Sequence, residues 1–171
     1  DGFQYTGRDG TRKWNQLTEN PPDDDLGTLM PTSEDESWFI IFAFDDIGYV
    51  SDDEKEDLDA DAILESIQAG TEQSNKYRRE QGWAEMHVTG WIHPPAYDEE
   101  SNNLVWATRA STTDGENVTN YNTRVLGRRG VMRVILVASP EELASVTPRV
   151  KELLSNFRYQ EGERYSEWVS G

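Results

Sequence analysis

The densest group of potential metal ligands in this sequence is an acidic stretch, residues 45–61, which holds nine carboxylates and one lysine. Clustered carboxylate oxygens are what a hard cation such as Ca²⁺ requires. The candidate calcium ligands are Asp46, Asp52, Asp53 and Asp57. The stretch also begins like an EF-hand loop, but Ala62 stands where that loop needs glycine and Gln68 where it needs a bidentate glutamate. A solvated turn is the alternative, and no other cofactor is predicted.

A basic segment forms the second candidate site. Residues 118–140 contain four arginines and no acid, in a chain of net charge -17. Guanidinium groups suit bidentate recognition of carboxylate or phosphate, so Arg124, Arg128 and Arg129 are candidates to bind an anion or a partner. The alternative is that these arginines pair with the protein's own acids.

Three aromatic residues, Trp91, Tyr97 and Trp106, form a candidate aromatic surface on or beside predicted strands. Strict alternation places Trp91 on the face opposite Val88, and such a half-polar face is suited to stacking sugars or to contact with a partner. The alternative is that a helix or loop covers Trp91.

Composition excludes several classes of function. There are no cysteines and two histidines, which removes disulfides, thiolate nucleophiles and the usual zinc sites. Acids outnumber bases 33 to 16, and this charge repels nucleic acid. No nucleophile-elbow, dinucleotide or phosphate-loop motif occurs, so no catalytic residue is identified. Paired carboxylates for glycoside hydrolysis stay open because acids are so numerous.

The pattern of apolar residues predicts an α+β fold. Residues 38–44 are apolar on both alternating faces, which is typical of a central strand. One helix is predicted from a cap at Asp59 to Gly82, and a second from Ser139 with a capping box. Four further strands are predicted between the helices, over residues 85–92, 104–110, 118–126 and 131–138, with residues 94–103 as a turn.

These elements predict a single domain with an antiparallel sheet of about five to seven strands and two main helices. Residues 38–171 form its core. Residues 1–37 are an N-terminal extension of the same domain, with loops and short strands, one of them near residues 14–17. The chain begins with Asp-Gly, so a fragment or a processed product is expected.

Several motifs in this sequence occur together in one bacterial family. They are Asn120–Met132 (NYNTRVLGRRGVM), Gly48–Val50 followed by Asp52-Asp53, Leu58–Asp61, Gly90-Trp91, Pro95 with Tyr97-Asp98, Leu104 with Trp106-Ala107, and Gly162 with Arg164-Tyr165. In order and spacing they resemble the membrane-anchored family called domain of unknown function 2167 (DUF2167).

The resemblance implies a domain in the periplasm, anchored in the inner membrane by hydrophobic helices that would follow Gly171. It implies no activity and no catalytic residues. The leading hypothesis is a non-enzymatic module that binds an envelope protein or a small ligand. The alternatives are a cell-envelope hydrolase acting on sugar or peptide polymers, and a sensor domain responsive to Ca²⁺ or an anion.

Overall fold

Seven strands and three α-helices occur in the part of the chain that the structure describes. A computed structural model describes residues 2–53 and 58–170. The elements, in chain order, are β1 (Phe3–Gly7), α1 (Arg8–Leu17), β2 (Asp25–Pro31), β3 (Phe39–Asp45), α2 (Ala60–Gln81), β4 (Met86–Asp98), β5 (Asn103–Thr112), β6 (Asn117–Leu126), β7 (Val131–Ala138), α3 (Pro140–Ser155) and a 3₁₀ turn (Tyr165–Glu167).

The strands form one sheet in the order β1-β2-β3-β7-β6-β5-β4, and every neighbouring pair is antiparallel. This confirms the predicted α+β fold. The apolar run of residues 38–44 becomes β3, which pairs with β2 on one side and β7 on the other. Ile40 and Ile41 point to opposite faces and both are buried, so both faces of the sheet are covered.

Helices of different parts of the chain cover the two faces. On the α3 face, Val146 and Val150 of α3 pack with Ile40 and Leu136 in the main apolar cluster. On the opposite face, the α1–α2 face, α1 packs against β1 and β2, and α2 packs against β4. Arg78 joins these two helices, because its guanidinium donates to the main-chain oxygen of Glu19 just beyond α1 over 2.7 Å.

The predicted ends of the two main helices are confirmed. Asp59 caps α2 by accepting from the N–H of Ala62 over 3.0 Å, and Gly82 ends it in the left-handed conformation at φ 72°. Ser139 and Glu142 form the predicted capping box of α3. Local signals were sufficient here because a cap depends on neighbours in sequence.

The strand predicted near residues 14–17 is wrong, since these residues end helix α1. The residues that α1 buries are polar, so its sequence lacks the apolar periodicity by which a helix is usually predicted. Thr11 is buried and its hydroxyl accepts from Thr28 over 2.9 Å. Asn15 is also buried, and its amide donates to Asp25 over 2.7 Å.

The predicted turn at residues 94–103 is also wrong in part, because β4 continues to Asp98. β4 is an edge strand with register shifts, the setting in which a sheet tolerates Pro94 and Pro95. One shift lies between Val88 and Gly90 and reverses the alternation beyond it. Val88 and Trp91 consequently lie on the same face of the sheet, not on opposite faces.

Asn75 fixes the start of β4 against α2. Its side chain is fully buried, and its amide donates to Met86 O while its oxygen accepts from Met86 N–H, both over 2.9 Å. The side chain thus pairs with the main chain of Met86 as a neighbouring strand would.

Replacing Asn75 with alanine should lower the free energy of unfolding by about 2–4 kcal/mol, because two buried main-chain groups lose their partner. Urea denaturation of the purified domain measures the change. Gln73→Ala, an exposed change on the same helix, is the control and should cost less than about 0.5 kcal/mol. Equal effects of the two changes would contradict the role of Asn75.

Candidate functional site

The two arginines at the tip of the β6–β7 hairpin bind the chain's own C-terminal segment, defined here as residues 157–168. Arg128 N–H donates to Glu163 O over 2.9 Å, and its Nη1 donates to Gly162 O over 2.8 Å. Arg129 Nε donates to the Glu163 carboxylate over 2.7 Å, and this bond raises the pKa of Arg129. These candidate anion ligands therefore hold the segment against the hairpin.

Tyr159 attaches the same segment to the sheet. Its ring lies over Gly127, where a Cβ atom would come within 2.6 Å of the ring. Its hydroxyl donates to Val125 O over 2.7 Å and accepts from Met132 N–H over 3.0 Å. Burial raises the pKa of Tyr159 to about 12. A glycine at position 127 is thus needed for the tyrosine to reach the main chain.

Arg124 lies apart from the other two arginines, on the α1–α2 face of β6. It pairs across strands with Arg133, and its guanidinium stacks on Trp106 at 4.8 Å from the ring centroid. Burial and the charge of Arg133 lower the pKa of Arg124 to about 10. Its Nη1 is buried and has no hydrogen-bond partner among residues 2–53 and 58–170. The three candidate arginines therefore do not converge on one site.

The carboxylate of Asp52 lies between two tyrosine hydroxyls. Tyr97 donates to Oδ2 over 2.9 Å, and Tyr165 donates to Oδ1 over 2.8 Å. The N–H of Asp52 donates to the Tyr165 oxygen over 3.1 Å. Burial and the bonds to Asp52 raise the pKa of both tyrosines, since ionising either would place an anion beside the carboxylate.

Three further candidate calcium ligands are predicted besides Asp52, namely Asp46, Asp53 and Asp57. Asp57 lies outside the described residues, and Asp46 and Asp53 are exposed. In the part of the chain that the structure describes, no group of three or more His, Cys, Asp or Glu residues could hold a metal ion. Calcium binding stays a prediction.

A stack of aromatic rings reinforces the Asp52 contacts. Tyr49 lies between Tyr165, at a centroid distance of 5.0 Å, and Trp168, at 4.1 Å. The stack and the hydrogen bonds of Asp52 together join the loop after β3, the end of β4 and the C-terminal segment.

Trp91, Tyr97 and Trp106 are all half-buried. Trp91 and Trp106 lie on the α1–α2 face, where α2 packs against β4. The hydroxyl of Tyr97 is directed to Asp52. The aromatic surface stays a prediction.

An open cleft runs along the α3 face, between α3 and the β4–β5 hairpin. It consists of two adjoining cavities with volumes of about 360 Å³ and 570 Å³. The residues that line both cavities are Asp98, Ser101, Asn103, Leu154 and Ser155. The cleft lies where α3, which packs against β6 and β7, leaves space beside β4 and the start of β5 on this face.

The floor of the smaller cavity mixes polar and apolar side chains. Tyr121 and Thr123 come from β6, and Val105 lies directly across from Thr123 on β5. Tyr121 is 7% exposed, and burial raises its pKa. The Oδ1 atom of Asn103 is buried without a hydrogen-bond partner within the described residues. The floor can therefore offer hydrogen bonds to a ligand.

The two walls of the cleft carry opposite charges. Asp98 and Glu100 lie on the hairpin wall, whereas Lys151 and Arg158 lie on the wall formed by α3 and the residues after it. Arg164 adds a second positive charge, besides that of Arg158, to the larger cavity. Among the residues that the structure describes, no ion pair within 4.0 Å crosses the cleft. Asp98 and Lys151 make no ion pair to a described residue, whereas Arg164 lies 3.9 Å from Glu167.

Sequence reasoning missed this cleft. Tyr121 and Thr123 are two residues apart on a strand, so the sequence could have predicted that both side chains lie on the same face of the sheet. Asn103 and Lys151 come from distant segments, and only the strand register and the position of α3 bring them to the same cavity.

Comparison with known proteins identifies the family. The family model described as "Protein of unknown function (DUF2167)" matches residues 1–171, the whole chain. The chain belongs to the DUF2167 family. No protein of the curated collection matches it.

Two solved structures resemble this DUF2167 domain. Cyanobacterial PsbP (CyanoP) from Synechocystis sp. PCC 6803 has a TM-score of 0.52 at 12% identity, over 94% of this chain and 83% of that one. PA94, a protein of unknown function from Pseudomonas aeruginosa, has a TM-score of 0.40 at 10% identity, over 79% of this chain and 92% of that one. The likeness to CyanoP indicates a shared fold. In residues 2–53 and 58–170, no helix has the length and apolarity to cross a membrane.

Removing the Tyr159 hydroxyl should change the response of the DUF2167 domain to alkali. The pKa of Tyr159 is raised from its ordinary value of 10 to about 12 in the folded protein, so the folded state is stabilised as long as the hydroxyl keeps its proton. This stabilisation is complete below pH 10 and is lost as the pH rises towards 12. Tyr159→Phe should therefore reduce the alkaline decline in the free energy of unfolding by up to about 1.4 kcal/mol per pH unit.

Denaturant unfolding between pH 8 and pH 11.5 measures this slope. At pH 8 the variant should also be less stable by about 1–2 kcal/mol, because Val125 O and Met132 N–H lose a partner. Tyr77→Phe is the control, since the Tyr77 hydroxyl makes no hydrogen bond to a described residue. An unchanged slope in Tyr159→Phe would show that Tyr159 is not the group responsible.

Proposed function

We propose that this DUF2167 domain is a non-catalytic binding module of the bacterial envelope and that the cleft beside α3 is its ligand site. The observation that carries the proposal is the cleft itself, whose two cavities have volumes in the range of about 300–1,000 Å³ typical of small-molecule sites. Its lining combines a few apolar side chains, such as Val105 and Leu154, with a larger number of polar and charged ones.

The distribution of carboxylates favours binding over hydrolysis. A glycosidase requires a carboxylic acid with a raised pKa close to a second carboxylate. Asp25, whose pKa is raised mainly by burial, lies next to Asn15 on the α1–α2 face. Trp91 and Trp106, which the hydrolase hypothesis used as a stacking platform, lie on that face too. The cleft is on the other side of the sheet.

The proposed location is the periplasm, with the protein anchored in the inner membrane by C-terminal helices. This part of the proposal rests on the resemblance of the sequence motifs to a membrane-anchored family. The strongly acidic surface is compatible with it, because a chain of net charge -17 is repelled by anionic lipid and would be held near the membrane by an anchor, not by its surface.

Ligand binding should depend on Ser155, which lines both cavities. We expect amide chemical-shift changes near Asn103, Tyr121 and Leu154 when the domain is titrated with soluble cell-wall digestion fragments, free sugars or short peptides. Ser155→Trp should abolish these changes because the indole ring fills the cleft.

Ser145→Trp is the matched control. Ser145 lies on the same helix, is exposed and, like Ser155, donates its hydroxyl to the carbonyl three residues earlier. This variant should bind as the wild type does. Shift changes confined to the α1–α2 face, or none with any of the probes, would contradict the cleft as the ligand site.

Protease accessibility tests the proposed location. In the full-length protein, this domain should be cleaved when protease is added to spheroplasts and protected in intact cells. A cytoplasmic marker protein, which should stay intact in both samples, is the control. Protection of the domain in spheroplasts would place it on the cytoplasmic side and contradict the proposal.

A further inference from the structure

We infer that the cleft binds a short peptide with a free amino group and a free carboxylate. This inference rests on the proposed function, because it assigns a ligand class to the same cleft. The first observation is that acidic and basic side chains lie on opposite walls in both cavities. Asp98 lines both cavities from the hairpin wall. On the opposite wall, Lys151 lines the smaller cavity and Arg158 lines the larger one.

These charges are not neutralised by each other. Asp98 accepts hydrogen bonds from the Ser101 hydroxyl over 2.6 Å and from Glu100 N–H over 3.1 Å, and it makes no ion pair to a described residue. Arg158 donates to two main-chain oxygens, those of Ser155 and Phe157, both over 2.6 Å. A zwitterionic ligand would give each wall the opposite charge that the protein does not supply.

The floor and sides suit the remaining parts of a peptide. Asn103 lies between the cavities with its Oδ1 unpaired among the described residues, and rotation of its amide presents either a donor or an acceptor to a peptide bond. Val105 and Leu154 provide apolar contact for small side chains. An acidic sugar would satisfy the basic wall only, and the tryptophans that would stack its ring lie on the opposite face.

Blocking each end of a model peptide tests the inference. The probes are the tripeptide Ala-Ala-Ala with free termini, its N-acetylated form and its C-terminal amide, titrated into the domain by calorimetry. Each blocked form should bind about fivefold more weakly than the free peptide, an effect near the upper end for partly exposed ion pairs.

Variants assign each end of the peptide to a wall. In Lys151→Ala the free and amidated peptides should bind equally, because the partner of the carboxylate is gone. In Asp98→Asn the free and acetylated peptides should bind equally for the corresponding reason. Lys76→Ala is the control, since Lys76 is exposed on α2 on the other side of the sheet, and it should keep both differences.

The outcomes separate this inference from the proposed function. Equal binding of free and blocked peptides to the wild type would overturn charge recognition while leaving the cleft a binding site. Failure of all three peptides, combined with cleft-centred shift changes for a sugar or cell-wall fragment, would overturn the ligand class only. The absence of cleft-centred binding for every probe would overturn both.

Discussion

β3 is apolar on both of its alternating faces, and the positions of α1 and α3 follow from the need to cover both faces. Each large aliphatic side chain removed from water contributes about 1.5–3 kcal/mol, so neither Ile40 nor Ile41 can be left open to solvent. α3 covers the Ile40 side. On the other side Trp14 of α1 contacts Phe39 edge to face, with ring centroids 5.3 Å apart.

The two faces are covered unequally, and this inequality produces the cleft. α1 and α2 cover opposite ends of one face, whereas α3 alone covers the other and packs on β6 and β7. β4 and the start of β5 extend beyond the helix, and Asn103 and Val105 of β5 line the smaller cavity beside it. The cleft is therefore a consequence of placing seven strands under a single helix.

Features that are decided by residues close together in the sequence could be predicted, and features that depend on residues far apart in the sequence could not. The caps of α2 and α3 and the central strand were predictable because the deciding residues are neighbours or alternate along one segment. α1 was not, since Thr11 and Asn15 are buried through polar pairing with β2 and leave no apolar period. The site depends on strand register, and the shift near Val88 alone moved Trp91 to another face.

Three of the motifs that resemble the family meet at one end of the sheet. The strand part of the Asn120–Met132 motif supplies Tyr121 and Thr123 to the floor of the cleft, and its hairpin part holds the C-terminal segment through Arg128 and Arg129. That segment supplies Tyr165 and Arg164 to the larger cavity. Because Tyr165 also binds Asp52, the loop after β3 is tied to the cavity wall. The shape of the larger cavity thus depends on contacts between motifs far apart in the chain.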